Sequence, residues 1–236
     1  MTEKTLDGRI ALVTGASRGI GAATAEALAA AGAHVVITAR TAAGLEEVEE
    51  RIHQAGGSAT IAPLDLIDGD SIGRLAQAVT ERWGKLDTLV LNAAMLGTLT
   101  PVVDIDPKEL AKVLTLNVGA QQALLAAFDP LLRKSDTPRV IALTSRVGAV
   151  PTAFWGAYGA SKAALDNLLL TYAAERKQVG NVRVAIVDPG ATATKMRARA
   201  FPGEDQSTLK SPEVVADAIA ALVAQDFETG HRIRVG

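Results

Sequence analysis

Arg9-Ile10-Ala11-Leu12-Val13-Thr14-Gly15-Ala16-Ser17-Arg18-Gly19-Ile20-Gly21 is the stretch on which the reading of this chain turns. A strand-sized apolar run, Arg9–Val13, passes straight into a turn with three glycines, and a helical pattern starts at Gly19. Glycine allows the tight bend and lets a bound group come close to the backbone. The N-terminus of the following helix offers free N–H groups and the positive end of a dipole, which suits a pyrophosphate. The spacing is G-x-x-x-G-x-G rather than G-x-G-x-x-G, so its weight comes from its place at the first strand-to-helix junction.

Outward from this turn, short β-branched runs alternate with alanine-rich helical stretches. Strands are expected at Arg9–Val13, His34–Thr38, Ala59–Ala62, Asp87–Leu91, Arg139–Thr144, Val182–Val187 and His231–Val235. Most are continuous apolar runs, the pattern of strands covered on both faces. Helices are expected near Gly19–Ala31, Ala42–Ala55, Asp68–Trp83, Pro107–Leu132, Trp155–Val179 and Pro212–Ala224. Asp106-Pro107 and Ser211-Pro212 each set a capping residue before a proline at the first helical position. Such alternation implies right-handed βαβ units. The fold class is therefore α/β: a single Rossmann-type, doubly wound, seven-stranded parallel sheet with helices on both faces, one domain over 1–236. Periodicity fails only in Ala191–Lys210. Ligands of such sheets bind beyond the carboxyl ends of the strands, which makes that segment a candidate substrate lid; the plainer reading is a surface loop.

Composition narrows the functions. The 236 residues carry a net charge of −2, so no overall field draws the chain to nucleic acid or an anionic membrane. Aromatics at 3% leave few stacking platforms for single strands. There is no cysteine, which excludes disulfides and thiol chemistry, and three scattered histidines, His34, His53 and His231, do not suggest a metal site. The start, Met1-Thr2-Glu3-Lys4-Thr5, is polar, and the apolar run after it is too short for a signal peptide or a membrane span. A soluble cytoplasmic protein is expected.

Gly15-Ala16-Ser17-Arg18-Gly19 also spells G-x-S-x-G, the nucleophile elbow of α/β-hydrolases, and Asp188 and His231 follow in triad order. An elbow needs a sheet and an oxyanion loop built upstream, and only a short leader precedes Ser17. His231 falls within a strand, and the phosphate-turn reading accounts for all three glycines. The hydrolase reading is set aside.

Cofactor type is read from the second strand, which ends Ile37-Thr38-Ala39-Arg40 with no acid before Glu46. A carboxylate there would bind the ribose hydroxyls of NAD. Arg40 instead suits a 2′-phosphate through its bidentate fork, and Arg18 in the turn agrees, so NADP is the expected cofactor. Further on, Tyr158-Gly159-Ala160-Ser161-Lys162 puts a phenol and an ammonium on one helix face. A free phenol titrates near 10, and a neighbouring ammonium pulls it toward neutrality. Ser145 ends the fifth strand run.

At this point the chain resembles the short-chain dehydrogenase/reductase family over essentially its whole length. Thr14-Gly15 through Gly21 matches the family's TGxxxGxG turn, Asp65-Leu66 its adenine-side pair, and Leu91-Asn92-Ala93-Ala94 stands where the family has NNAG. Ser145, Tyr158 and Lys162 match the catalytic trio, Asn117 the asparagine of the long helix, and Pro189-Gly190 with Thr194 the nicotinamide-side PGxxxT. The resemblance implies hydride exchange between NADP(H) and a carbonyl or alcohol substrate. Tyr158 would be the acid/base, Ser145 would orient the oxygen, and Lys162 would hold the ribose and lower the Tyr158 pKa. Asn117 would position a water linking Lys162 to solvent. It implies cofactor contacts at Gly15, Ser17, Arg18, Gly19, Ile20, Gly21, Arg40, Asp65, Leu66, Asn92, Ala93, Tyr158, Lys162, Pro189, Gly190, Thr192 and Thr194, and a homodimer or homotetramer. Ala94 and Leu91 depart from the family pattern, so the loop there should be altered. Thr144 stands beside Ser145 and is a rival for its role, while Tyr172, with no lysine at +4, is read as packing. Phe154, Trp155, Met95, Leu96 and Met196–Phe201 should flank the substrate mouth, and Lys195, Arg197 and Arg199 read as a solvated basic run. The alternative function is a non-catalytic NADP-binding sensor or structural protein; the intact Ser145, Tyr158, Lys162 and Asn117 favour the enzyme.

Overall fold

The computed structural model describes residues 4–236; Met1–Glu3, the start of the polar leader, lies outside the described residues. Seven parallel strands form one sheet in the order β3-β2-β1-β4-β5-β6-β7. They are β1 (Ile10–Thr14), β2 (His34–Thr38), β3 (Ser58–Ile61), β4 (Thr88–Leu91), β5 (Arg139–Leu143), β6 (Arg183–Asp188) and β7 (His231–Arg234). The expected strands are all present, with ends displaced by a residue or so.

Alternation along a strand divides the core into two layers. On β1, Ile10 and Leu12 join Leu75, Leu124, Phe128, Leu165 and Leu169 on one face. Ala11 and Val13 join Leu28, Leu45, Val48, Ile52, Ile219 and Val223 on the other. The first layer is made by α3 (Gly69–Trp83), α5 (Ala120–Leu132) and α7 (Gly156–Val179), the second by α1 (Gly19–Ala30), α2 (Ala42–Gln54) and α9 (Pro212–Ala224). The interior strands are buried along nearly every residue, as covering on both faces requires. The edge strand β7 is mostly exposed and carries Arg232 and Arg234, charges that blunt an open edge.

Two expectations need correction. The helix expected over Pro107–Leu132 is not one α-helix. It is α4 (Pro107–Leu114), a wide π turn over Thr115–Gly119, and then α5. No proline or glycine pair forces this break; Asn117 sits in it and bonds outside the helix, as described below. The segment Ala191–Lys210 is not structureless either. It holds α8 (Lys195–Ala200) and a 3-10 turn at Gln206–Thr208, and its ends are tied by a bridge between Thr192 and Lys210. A further short helix, α6 (Arg146–Ala149), directly follows β5.

Candidate active site

The glycine turn leaves β1 at the centre of the sheet, beside β4, and the loop after β4 clamps it. Asn92 Nδ2 donates to Thr14 O at 2.8 Å and Gly15 O at 3.2 Å, and the Asn92 and Ala93 amides donate to Thr14 Oγ1. A Cβ on Gly21 would clash with Asn92 Nδ2 and with Gly15 O, and one on Gly15 would meet Ala93 Cα at 2.9 Å. These two glycines are therefore required by the clamp itself, before any ligand is considered. Gly19, at φ +57°, lies against the Thr194 methyl, so the turn also touches the start of α8.

The start of α1 is open. Arg18 occupies its cap position in extended conformation, no side chain caps it, and no acid stands in its first turn. By contrast, Asp68 caps α3 and Asp106 caps α4. Unpaired helix-start N–H groups attract an anion. Arg18 and Arg40 are both exposed. Ser17 and Ile20 are half-buried. Asp65 is exposed, with its Oδ1 accepting from the Ile67 amide at 3.1 Å, while the Leu66 side chain is buried in the core and leaves only its main chain to a ligand. Together these features form a cradle that fits a phosphate-bearing dinucleotide.

Tyr158 and Lys162 lie one turn apart on α7, both buried, with Lys162 Nζ 5.7 Å from the phenol ring centre and donating to Leu143 O at 2.8 Å. Ser145 begins α6, whose Val147 amide it caps. Two glycines let α6 lie directly on α7: a Cβ on Gly148 would meet the Lys162 backbone at 3.0 Å, and one on Gly159 would meet Val147 O at 2.9 Å. That contact seats α6, with Ser145 at its start, on the part of α7 that carries Tyr158 and Lys162. Thr144, the rival to Ser145, is buried and gives its hydroxyl to Asp166 at 2.5 Å.

Burial governs the titration of this corner. Loss of solvation, followed by the Asp188 carboxylate, pushes the Tyr158 phenol above its usual value, the reverse of the lowering expected from Lys162. The ammonium is itself pulled down to about 8 by burial, against the opposing pull of Asp166. Asn117, fully buried in the π turn, accepts from the Met95 amide at 2.8 Å and donates to Met95 O at 2.9 Å and Ser161 Oγ at 3.0 Å. Both amide protons are spent. A water associated with Asn117 would receive no proton from its side chain and would meet Oδ1 or the main chain. Gln121 donates to Ala93 O and Leu116 O, joining the post-β4 loop to the π turn, and went unnoticed in the sequence.

On the lid side, Gly190 takes φ +62° and its amide donates to Asp188 Oδ1. Thr192 is buried, with its hydroxyl donating to Pro189 O at 3.0 Å, and Thr194 caps α8. Thr192 thus serves the turn, and Thr194 faces the glycine loop. The basic run is largely spoken for: Arg197 forms a two-point pair with Glu204 at 2.6 Å and lies 3.7 Å over the Phe201 ring, and Arg199 donates to Gly97 O. Phe201 packs on Trp155, which meets Tyr158 edge-on at 6.0 Å. Phe154 is exposed at φ +72°, a conformation costing an aromatic residue about 1–2 kcal/mol. Its carbonyl accepts from the Thr100 amide, and that strained turn sets Trp155 against Tyr158. Leu96 is buried and Met95 half-buried. Tyr172, on α7, packs in the core as expected, with its hydroxyl donating to Asp129 on α5 at 2.8 Å.

Comparison with known proteins agrees with this geometry. A family model described as short chain dehydrogenase matches residues 9–205. YciK, an uncharacterised oxidoreductase of Escherichia coli, is 36% identical over 224 residues, 94% of this chain and 88% of its own length. A short chain dehydrogenase structure from Salmonella enterica matches with a TM-score of 0.95 at 33% identity, covering all of this chain and 98% of the other. A metagenomic short-chain oxidoreductase solved in complex with NADP matches with a TM-score of 0.85 at 35% identity, over 98% and 97% of the two chains. With the family match spanning most of its length, this chain belongs to the short chain dehydrogenase family.

Proposed function

We propose that this protein is an NADP(H)-dependent oxidoreductase that exchanges a hydride with a carbonyl or alcohol carbon, using Tyr158 as general acid and base. The observation that carries the reading is the close α6–α7 contact at Gly148 and Gly159, which supports a place for Ser145, at the start of α6, near Tyr158 and Lys162. NADP(H), when bound, supplies or accepts the hydride. Gly15, Ser17, Gly19, Ile20 and Gly21 with the open start of α1 would hold its pyrophosphate, and Arg18 and Arg40 its 2′-phosphate. Asp65 and Leu66 would line the adenine side, and Asn92, Ala93, Pro189, Gly190, Thr192 and Thr194 the nicotinamide side. The NADP-bound metagenomic relative supports the cofactor type.

The chain's own groups do the proton chemistry. Ser145 hydrogen-bonds the substrate oxygen and fixes its direction. The Tyr158 phenol, kept protonated by burial, donates to that oxygen as it gains charge, which suits reduction at neutral pH. Lys162 holds the ribose hydroxyls and stabilises the phenolate once the proton has left. Asn117 fastens the loop after β4 through Met95 and keeps the π turn open. Trp155 and Phe201 give the mouth an aromatic wall, which favours a substrate with apolar parts. The proposal includes one domain, a cytoplasmic setting and assembly as a homodimer or homotetramer, which sedimentation of the purified chain measures.

The test is a panel of carbonyl compounds followed by NADPH absorbance, run with the native protein and with Tyr158→Phe. Turnover should fall by about 10²–10⁴ in the variant while NADPH affinity is kept. NADPH binding by the native chain with no turnover across the panel would replace this reading with the sensor or structural one. Arg40→Ser should lower affinity for NADPH and leave NADH nearly unaffected; equal loss for both would remove the 2′-phosphate assignment.

A further inference from the structure

Asp166 lies one turn beyond Lys162 on α7 and is buried, yet its carboxylate has partners on two other elements. Oδ1 accepts from Thr144 Oγ1, at the end of β5, at 2.5 Å. Oδ2 lies 2.9 Å from a guanidinium nitrogen of Arg232 on β7. Lys162 donates to Leu143 O, one residue before Thr144. Ammonium and carboxylate thus leave the same helix face and bind consecutive residues of one strand. Arg232 reaches them from the rim with its side chain 43% exposed. An ion buried without a counter-charge costs several kcal/mol, and Lys162 has a single neutral acceptor.

We propose that Asp166 is a positioning residue for Lys162: held by Thr144 and Arg232, its carboxylate is the counter-charge that keeps the buried ammonium protonated and in place beside Tyr158. This rests on the role given to Lys162 above. It extends the site from the three reacting side chains to a set of charges that ends at the surface on β7. Burial lowers the Lys162 ammonium, and Asp166 is the group that opposes that fall. Other ionisable groups around the corner are Tyr158 on α7, Arg146 on α6, Asp188 at the end of β6 and Arg234 on β7, 3.8 Å from Asp188. From α4, which also packs on α7, Lys108 and Lys112 are exposed and Glu109 bonds Thr98. Of these groups, Asp166 is the carboxylate that acts on Lys162, and it is fixed from two directions.

The test uses substitutions of opposite sign. Asp166→Asn removes the counter-charge, so the Lys162 titration should move to lower pH by about one unit. Arg232→Gln frees the carboxylate of its outer partner, so the titration should move to higher pH. The readout is the pH titration of the Lys162 side-chain NMR signal in the full, ligand-free chain with labelled lysine, assigned by its loss in Lys162→Arg. The basic limb of the kcat/KM profile with NADPH and a panel substrate should follow in the same directions. A residue with only a structural role would lower activity without moving the midpoint. Unmoved midpoints, or shifts of the same sign in both variants, overturn the proposal. If Asp166→Asn does not fold, Arg232→Gln decides alone: an upward shift supports the proposal and no shift removes it. Full turnover by Lys162→Met would instead defeat the catalytic reading of Lys162, while the NMR titration would still judge Asp166.

Discussion

Lys162 carries its charge at a cost to the folded state. The ammonium is sealed from solvent, and burial takes it from 10.5 to about 8. Below pH 8 the lysine is protonated whether the chain is folded or not, and the full burial cost is present. Between 8 and 10.5 the unfolded chain holds more protons than the folded one, so this group makes stability rise with pH. Lys162→Met removes the effect. Its stability advantage over the native chain should shrink by about 3 kcal/mol across that window, measured by urea unfolding. Taking the difference between the two proteins cancels Tyr158 and Tyr172, whose raised values act alike in both. A difference that stays flat with pH would mean that the ammonium is not buried. The proposed role of Lys162 thus asks for a charge at a position where burial makes one destabilising.

Two short irregular pieces place the site residues, and each can be tested by length or volume. In α6, Gly148→Ala puts a methyl 3.0 Å from the Lys162 backbone, which cannot give way without moving α7. The expected cost is about 1–3 kcal/mol of stability. As α6 lifts, Ser145 goes with it, so kcat should drop with NADPH affinity intact; unchanged kcat would show that α6 does not set Ser145. In the π turn, deleting Val118 restores α-helical spacing and swings Asn117 away from Met95. The variant should keep its helical circular dichroism and lose most turnover. These pieces also mark where sequence reading reached its limit. His34–Thr38 was legible to the residue because β-branched runs in a covered sheet leave little choice. The π turn was not, because Thr115-Leu116-Asn117-Val118-Gly119 keeps an ordinary helical pattern and the cause of the break, Met95, is far along the chain. Four-residue α6 is too short to show a period. Its signal was the glycine pair Gly148 and Gly159, whose spacing has meaning only once two helices touch. Residue types such as Tyr158 and Arg40 were readable, but the raised phenol was not, since burial belongs to the fold and outweighs the neighbouring lysine.

For the whole molecule, the issue is how the segment Ala191–Lys210, the candidate lid, is fastened to the rest of the fold. Thr192 and Lys210 close it into a loop, reinforced by the Ala193 amide donating to Lys210 O at 2.9 Å. Lys210 Nζ then donates to Val235 O at 2.6 Å and Gly236 O at 2.9 Å, fastening that loop to the chain beyond β7. At its far end Arg199 reaches Gly97 O on the loop after β4, and Phe201 leans on Trp155. The segment therefore reaches from the chain beyond the last strand to the loop after the fourth, with Lys210 as the charged anchor at its base. Few apolar side chains in it are buried, so its opening should be a local event, well below the free energy of global unfolding. Lys210→Met removes the base anchor and leaves both core layers untouched. The thermal midpoint should stay within about 2 °C of the native value. Limited trypsin digestion at Lys195, Arg197 and Arg199 should become faster, and KM for a panel substrate should rise more than kcat falls. Equal digestion rates in the two proteins would mean that the Arg197–Glu204 pair and the Phe201–Trp155 stack hold the lid without Lys210. Faster digestion together with a lowered midpoint would place the lid within the global folding unit instead, and substrate entry would then require more than the local movement of one loop.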